Sequence, residues 1–337
     1  MKEALFWEAL EQGRVKCNLC PNTCVILPGK QGVCRARENQ GGRLYSVNYG
    51  QVASLGLDPV EKKPLFHFNP GSLVLSAGTY GCNLSCKFCQ NWQISQMNPS
   101  YTMLTPGQIV EICLAHKKRY PNTVGIAYTY NEPTVWYEFV KECAQEAKLQ
   151  GLSNVIVTNG YISKEALRGL MPLADALNID VKAWQEDFYR RIAGGRLKPV
   201  KETVESACEA GAWVEITYLV VPGENDSDED MKELTAWLGK ISPGIPLHLS
   251  RYFPAYQLDF PPTPLSTLER LRQLARERLQ HVYIGNAWKK GYADTYCPRC
   301  GETLLERGAL ELEGVHFENG ACPNCLETLE IVGKIWM

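Results

Sequence analysis

Three cysteines lie within eight positions of the stretch GCNLSCKFCQNW, at Cys82, Cys86 and Cys89. Their C-x3-C-x2-C spacing lets three thiolates bind one metal centre from a single loop. A structural zinc site is closed by four ligands, usually as two separated pairs, so three cysteines leave one coordination position free. An iron–sulfur cluster with one iron not bound by the protein fits this spacing better than zinc with a distant fourth ligand. The free iron can then bind a substrate or a cofactor.

A second group of cysteines, near the C-terminus, has the spacing of a zinc ribbon. The segments YCPRCG and CPNC give C-x2-C-x21-C-x2-C, through Cys297, Cys300, Cys322 and Cys325. Two such turns converge on a tetrahedral site of four thiolates, which suits zinc or a single iron, and we favour zinc. Leu326 stands in the second turn where glycine is usual, so we expect strain in that turn.

A third group of cysteines, near the N-terminus, has a less diagnostic spacing. Cys17, Cys20, Cys24 and Cys34 follow C-x2-C-x3-C-x9-C. This pattern is compatible with a structural zinc, with an auxiliary iron–sulfur cluster, or with a site completed by other groups, and zinc is our preferred interpretation. The remaining three cysteines fall in helix-like stretches and are interpreted as small buried hydrophobic residues, namely Cys113, Cys143 and Cys208.

The elements that must position the central cysteines alternate between strand and helix. Helical patterns are predicted over 133–150, which opens with proline and ends before glycine, and over 199–210. Alternating strands and helices indicate βαβ units and a parallel sheet of six or seven units. The predicted strands are short apolar runs over 72–79, 123–129, 154–158, 176–182, 212–221, 246–250 and 281–285.

Polar residues interrupt these strands in a regular way. Asn178, Asp180 and Lys182 share one face of their strand by the period of two, although helices should cover both faces of a parallel sheet. A sheet that closes partly into a barrel would turn this stripe towards its lumen, and further inward polar positions are Glu215, Thr217, His248 and Ser250. Polar groups converging from several strands indicate an active site at the carboxyl ends of the strands.

Composition limits the classes of function. Hydrophobic residues make up 45% and charged residues 21%, which is typical of a globular protein, and the net charge of −2 gives no signal for nucleic acid or membrane. No apolar run reaches about 18 residues and the N-terminal residues lack a signal-peptide core, so a cytoplasmic location is expected. In a reducing compartment, fourteen cysteines indicate metal binding rather than disulfides.

The motifs resemble a known family. The three-cysteine loop with Phe88 before its last cysteine resembles the cluster loop of the radical S-adenosylmethionine (SAM) superfamily. The wider sequence resembles the AmmeMemoRadiSam-system radical SAM enzymes, which are relatives of the pyruvate formate-lyase activating enzymes. The segments that carry this resemblance are DPVEKKPLFHF, AYTYNEPT, VTNGY and NIDVKAW. The resemblance implies a partial (β/α)6 TIM-like barrel with cysteine-rich N- and C-terminal metal-binding extensions. The predicted parts are an extension over 1–70, the barrel over 71–290 and a ribbon-like module over 291–337.

The same resemblance implies roles for individual residues. Cys82, Cys86 and Cys89 would bind a 4Fe–4S cluster whose open iron is chelated by the amino and carboxylate groups of SAM. YNEP replaces the family's Gly-Gly-Glu-Pro, so it is open whether backbone or the Asn131 side chain contacts the SAM amino group. The positions matched to SAM contacts are Phe88 beside the adenine, Asn131 and Glu132 near the amino group, Asn159 near the methionine or ribose, and Asp180 and Lys182 near the carboxylate.

The implied activity is reductive cleavage of SAM to a 5′-deoxyadenosyl radical, which abstracts hydrogen from a protein, peptide or other substrate. One alternative is an activating enzyme for a glycyl-radical enzyme, and an alternative of another class is a zinc or iron–sulfur binding module with a structural cluster. The polar stripe beneath the cysteine loop favours an enzyme, because a binding module does not need it. The resemblance also implies a one-electron donor such as flavodoxin or ferredoxin, and Memo- and AMMECR1-like protein partners.

Overall fold

A parallel sheet forms the centre of the computed structural model, which describes residues 1–308, 310–317 and 320–337. Within these residues, seven parallel strands pair in the order in which they occur in the chain, as expected for consecutive βαβ units. An antiparallel strand, Ser54–Pro59, pairs with the first of them, and the last has no second neighbour, so the barrel is open. The parallel strands β1–β7 are Leu73–Gly78, Thr123–Tyr128, Ser153–Thr158, Ala176–Asp180, Trp213–Val220, Leu247–Arg251 and Val282–Gly285.

Helices connect these strands and cover the outside of the sheet. In the described residues, six main helices, α1–α6, are Pro106–Arg119, Tyr137–Leu149, Lys164–Leu170, Leu197–Glu209, Asp228–Ile241 and Leu265–Arg276. Shorter helical segments are Glu11–Gly13, Val60–Lys62, Trp92–Ser95, Pro133–Trp136, Met171–Leu173, Glu186–Phe188 and Tyr189–Ala193. Within the same residues, we find no helix with the length and apolar character needed to cross a bilayer. The predicted α/β fold with a partial barrel of six βα units is confirmed. Strand β7 follows the sixth unit as the last parallel strand of the open sheet.

Most predicted boundaries differ by one or two residues from those observed, and two of these differences have local reasons. Helix α4 begins at Leu197 rather than at Pro199, because proline is tolerated within the first helical turn, where backbone N–H groups have no intrahelical partner. Strand β4 ends at Asp180, so Lys182 lies just beyond it. There the Lys182 N–H donates to Tyr189 Oη, and the Lys182 carbonyl accepts from Asn225 Nδ2.

The predicted polar stripe faces a segment of chain that fills the concave side of the sheet. Asn178 Nδ2 donates to the Pro64 carbonyl at 2.8 Å, and Thr217 Oγ1 donates to Asn178 Oδ1 at 2.9 Å. The backbone N–H groups of Phe66 and His67 both donate to the carboxylate of Glu215, on β5. The polar side chains of the inner face therefore satisfy the backbone of this buried segment.

Glu215 is the centre of that network. It is fully buried, and it also accepts from His248 Nε2 at 2.7 Å and from Trp213 Nε1 at 3.0 Å. Burial alone would raise the pKa of this carboxyl, but the hydrogen bond and charge of His248 and the other donors lower it to about 2. The carboxylate is consequently ionised, and its donors join β5, β6 and the segment that precedes β1.

The chain on either side of the barrel forms small antiparallel sheets. On the N-terminal side, one sheet has the strands Lys2–Glu3, Arg43–Ser46 and Arg37–Gln40, and another has Trp7–Ala9, Val15–Cys17 and Val25–Ile26. A further pair joins Gln51–Val52 to Thr102–Met103, and the C-terminal sheet has the strands Thr295–Tyr296, Thr303–Arg307 and Leu312–Val315. Buried Arg307 connects the C-terminal sheet to the barrel by donating from Nη2 to the Phe66 carbonyl at 2.6 Å.

The contact between β2 and β3 generates a test of the sheet. A Cβ added at Gly125 would stand 1.9 Å from the Ser153 carbonyl oxygen, whereas one at Gly239 in α5 would meet nothing closer than 3.4 Å. We expect Gly125→Ala to lower the free energy of unfolding by about 1–3 kcal/mol, because backbone must move to admit the methyl group. Gly239→Ala should raise it by up to about 1 kcal/mol, since alanine is the better helix former.

Denaturant titration of both variants under anaerobic conditions measures these changes. Equal stability of Gly125→Ala and the unmodified protein would show that the two strands are not in the close contact described.

Candidate active site

The three central cysteines lie on the loop after β1, at the carboxyl edge of the sheet, as predicted. The backbone of this loop is bound to the helical segment Tyr189–Ala193, far away in sequence. The Ser85 N–H donates to the Ala193 carbonyl at 2.9 Å, and the Lys87 N–H donates to the Ile192 carbonyl at 2.9 Å. The loop is thereby fixed against the chain that follows β4.

Two glycines that the sequence analysis did not single out make this contact possible. A Cβ at Gly194 would stand 2.1 Å from Ser85 Oγ, and one at Gly195 would stand 2.5 Å from Leu84 Cδ2. The consecutive glycines at the end of a helix-like stretch were the available signal in the sequence. Their close approach to the cysteine loop can be read only from the folded chain.

The cysteine sulfur atoms have polar neighbours that suit metal-bound thiolates. Cys82 Sγ accepts from the Leu84 N–H at 3.4 Å and from Asn159 Nδ2 at 3.6 Å, and Cys89 Sγ lies 3.1 Å from Ser95 Oγ. Burial raises the pKa of the Cys82 thiol and raises that of Cys86 to about 12, so a metal must displace these protons on binding. Hydrogen bonds to sulfur are among the contacts that tune iron–sulfur clusters.

The separation of these thiols also distinguishes them from a single-ion site. Among the described residues, a set of at least three metal-binding atoms all within 4.8 Å of one another occurs near the C-terminus but not on this loop. A tetrahedral zinc with bonds of 2.3 Å would draw its sulfur ligands to about 3.8 Å from one another. At least one pair of the central thiols is therefore farther apart than the sulfur ligands of a single zinc ion.

The YNEP segment after β2 braces the cysteine loop. Asn131 Oδ1 accepts from the Thr79 N–H at 3.1 Å, and Asn131 Nδ2 donates to the Gly81 carbonyl at 2.8 Å. Tyr130, where the related family has glycine, keeps a left-handed backbone with φ of 70°, and its hydroxyl donates to Asp58 Oδ2 at 2.6 Å. The substitution thus preserves a glycine-like turn, and the Asn131 side chain bridges β1 to the loop.

Glu132 joins the ends of β2 and β3. Its carboxylate accepts from the Thr134 N–H at 2.9 Å, the Thr158 hydroxyl at 2.8 Å and the Asn159 N–H at 2.8 Å. Burial raises the pKa of this carboxyl, while the Asn159 and Thr134 donors oppose that rise. Asn159, fixed in this way, donates to Asn83 Oδ1 at 2.9 Å and so contacts the cysteine loop.

Asp180 and Lys182 form a charge pair at the end of β4. Lys182 Nζ lies 2.6 Å from Asp180 Oδ2 and 5.9 Å from the centre of the Phe88 ring. Burial alone would lower the pKa of Lys182, but the Asp180 carboxylate and the nearby Cys86 raise it above its ordinary value. A permanent ammonium group therefore stands beside the buried Phe88 of the cysteine loop.

A large cavity opens beside the ends of β5–β7. Its volume is about 1570 Å³ including its mouth, and its lining includes Thr217, His248, Ser250, Trp288 and Lys290. His248 and Ser250, predicted as inward positions on β6, both reach this cavity. Trp288, one of its lining residues, is 73% exposed.

The C-terminal cysteines converge as the ribbon spacing predicts. Cys297 Sγ lies 3.5 Å from Cys325 Sγ, and Cys300 Sγ lies 3.5 Å from Cys322 Sγ. The Glu302 backbone N–H and neighbouring thiols lower the pKa of Cys300 to about 7. Four sulfur atoms at these distances suit one tetrahedral ion.

The two turns of this site have the same backbone shape. The Gly301 N–H donates to the Cys297 carbonyl, and the Leu326 N–H donates to the Cys322 carbonyl in the same way. The φ angles are 78° at Gly301 and 62° at Leu326. Because leucine is unfavourable in this region, the expected strain in the second turn is present.

Comparison with known proteins gives three findings. A family model described as the radical SAM superfamily matches residues 77–235. An uncharacterized protein of Methanocaldococcus jannaschii is 45% identical over 340 residues, which cover 98% of this chain and 100% of that protein. The pyruvate formate-lyase-activating enzyme of Streptococcus mutans is 24% identical over 232 residues, which cover 62% of this chain and 85% of that enzyme.

The fold has counterparts among solved structures. SuiB of Streptococcus suis, bound to the precursor peptide SuiA, superposes with a TM-score of 0.51 at 17% identity. The match covers 68% of this chain and 51% of that chain, and at this identity it supports the fold alone. The family match covers the segment that carries the three-cysteine loop, and it identifies residues 77–235 as a radical SAM domain.

Proposed function

We propose that this protein is a radical SAM enzyme whose centre is the loop carrying Cys82, Cys86 and Cys89. The observation that carries the proposal is the position of these three thiols, of which Cys86 is buried and the other two are half-buried. They lie at the carboxyl edge of the sheet, wider apart than a single-ion site and beside the Asp180–Lys182 pair. When bound, the 4Fe–4S cluster and SAM would supply a 5′-deoxyadenosyl radical, and the protein's own residues supply position, charge and exclusion of water.

Different residues around the cysteine loop position different parts of the proposed site. Asn131 fixes the start of the loop through Gly81, and Glu132 fixes Asn159 against Cys82 and Asn83. Because the oxygens of Glu132 already accept from three internal donors, we assign it to positioning rather than to sole recognition of the SAM amino group. The remaining charge pair, Asp180 and Lys182, can offer one group of each sign to a bound zwitterion.

Lys182 is the residue that we assign to the carboxylate of SAM. Its ammonium is charged, partly accessible and already oriented by Asp180, with its backbone held at both the N–H and the carbonyl. A charged donor fixed beforehand loses little freedom when an anion binds. The ring of Phe88, a residue of the cysteine loop, lies 5.9 Å from this ammonium, and we assign it to contact with the adenine.

The cavity beside β5–β7 is our proposed substrate site. Its lining carries groups of both charges, among them Lys289, Lys290, Arg307, Glu306 and Glu313. A wide mouth with an exposed tryptophan suits a peptide or a protein segment, because aromatic anchors are frequent at protein interfaces. The related enzyme named for activating pyruvate formate-lyase makes a protein substrate the first candidate, and generation of a glycyl radical in a partner is the narrower alternative. A flavodoxin or ferredoxin would deliver the electron.

The first test removes the central ligands. After anaerobic reconstitution, changing Cys82, Cys86 and Cys89 together to alanine should lower the iron content by about four per chain. The same change should abolish 5′-deoxyadenosine formation from SAM with dithionite, because the loop that would bind SAM through its cluster has lost its ligands. Cys208→Ala, which removes a half-buried cysteine outside the three groups, is the matched control and should change neither quantity. Undiminished 5′-deoxyadenosine formation by the triple variant would refute the assignment.

The second test concerns Lys182. Lys182→Met keeps the length and apolar bulk of the stem but removes its charge, so the fold and cluster content should persist. Loss of a charge-assisted hydrogen bond of about 1.5–3 kcal/mol should weaken SAM binding by about 10- to 150-fold. Lys182→Arg should restore binding only in part, since a planar fork replaces a compact charge.

Equilibrium dialysis of SAM with cluster-loaded protein measures this affinity. Lys164→Met, which removes a largely exposed lysine paired with Glu202, is the control and should bind SAM as the unmodified protein does. Wild-type affinity in Lys182→Met would show that Lys182 is structural.

The third test concerns the C-terminal ribbon. Because four thiolates close its site, its metal should survive exposure to oxygen that destroys the central cluster. Metal analysis of aerobically purified protein should find about one zinc bound there, and Cys300→Ser with Cys325→Ser should remove it. A disulfide between two of these cysteines, with no metal bound, would contradict the assignment.

A further inference from the structure

We propose that Cys17, Cys20, Cys24 and Cys34 bind a second iron–sulfur cluster rather than zinc. This site is separate from the loop that carries Cys82, and the inference does not depend on the chemistry proposed for that loop. This proposal replaces the sequence-based preference for a structural zinc. The structure shows how the four cysteines are arranged in space, which their spacing in the sequence does not.

The four cysteines surround one cavity. Cys17 ends a strand, its N–H donates to the Cys24 carbonyl at 2.9 Å, and Cys34 reaches the same space from a later turn. The cavity has a volume of about 340 Å³ including its opening. The apolar side chains in its wall are those of Leu19, Ile26, Val33 and Val135. Four thiols therefore face one apolar space, as the ligands of a buried metal centre do.

The separation of these thiols argues against a single ion. In the part of the chain that the structure describes, the N-terminal cysteines do not place three sulfur atoms within 4.8 Å of one another, whereas the C-terminal ribbon does. Zinc would require sulfur separations of about 3.8 Å. A 4Fe–4S cluster places iron atoms between its ligands and so holds its thiolates farther apart. The N-terminal set resembles the central loop in this respect and differs from the ribbon.

A buried arginine in the wall of this cavity gives a second, independent observation. Arg37 is 1% exposed, and its Nη1 donates to Glu138 Oε1 at 2.8 Å. Its Nε and Nη2 are buried and find no acceptor among the described residues. Unpaired donors on a buried cation are costly, so the cavity is expected to hold an anionic acceptor. A cluster with four thiolate ligands carries negative charge and presents sulfides that accept such hydrogen bonds.

The N-terminal cavity also adjoins the central loop. Asn83, next to Cys82, lies in its wall, and the Asn83 carbonyl accepts from Asn22 Nδ2 at 2.7 Å. A Cβ at Gly81 would stand 2.4 Å from the Cys34 carbonyl oxygen, so the two cysteine segments touch at their backbones. The proposed cluster is therefore a neighbour of the central one.

The test uses the full chain with the central ligands removed. The variant with Cys82, Cys86 and Cys89 changed to alanine is reconstituted anaerobically with ferrous iron and sulfide. We expect about four irons and four sulfides per chain to remain, with the electron paramagnetic resonance signal of a reduced 4Fe–4S cluster. Adding Cys20→Ser and Cys34→Ser should abolish that signal, and adding Cys208→Ser should leave it unchanged. Two zinc ions per chain, with neither iron nor sulfide, would overturn the proposal.

A second measurement covers failure of the triple variant to fold. In the chain with its central cysteines intact, Cys20→Ser with Cys34→Ser should lower iron from about eight to about four per chain. The remaining cluster signal should still shift on addition of SAM. Unchanged iron content in this variant would refute the second cluster. Loss of the SAM-induced shift in the unmodified protein would instead refute the function proposed for the central loop, so the two failures are distinguishable.

Discussion

The pairing of the cysteine loop with the chain after β4 is the constraint on which the rest of the site depends. Two backbone hydrogen bonds, from Ser85 and Lys87, attach the loop to residues 192 and 193. The glycines at 194 and 195 allow that approach, because any side chain there would collide with the loop. As β4 also carries Asp180 and leads to Lys182, the same contact sets the distance between thiols and charge pair.

Buried charge is compensated differently in different parts of the molecule. Glu215 accepts from four donors, and its network connects the inner face of the sheet to the segment before β1. Glu132 accepts from three donors and connects two strand ends to the cysteine loop. Both carboxylates therefore accept hydrogen bonds from several protein donors and do not need a ligand to supply them. Arg37, in contrast, keeps two unpaired donors in the described part of the chain, as its partner Glu138 keeps one unpaired oxygen.

Much of the fold could be predicted because its signals are local. Apolar runs of strand length located all seven parallel strands, and the period of two identified Asn178 and Glu215 as inward residues. The ribbon could be predicted because two short turns carry its ligands, and even the strain at Leu326 follows from its place in the turn. In each case the neighbours in sequence determine the geometry.

Contacts between distant segments could not be predicted in this way. The sequence around Gly194 does not indicate that this residue contacts the cysteine loop. Arg37 has the sequence context of an ordinary strand residue. Asn131 was considered as a SAM contact, yet its side chain bridges Thr79 and Gly81. The choice between zinc and a cluster at the N-terminal cysteines likewise depends on the distances between their sulfur atoms. The spacing of the cysteines in the sequence does not specify these distances.

The cysteine loop takes part of its shape from two backbone hydrogen bonds that involve no thiol. The Ser85 and Lys87 N–H groups donate to the carbonyls of residues 193 and 192. Small zinc domains differ, because there metal binding supplies the folding energy itself. Loss of a metal centre from this loop would remove neither of the two backbone hydrogen bonds.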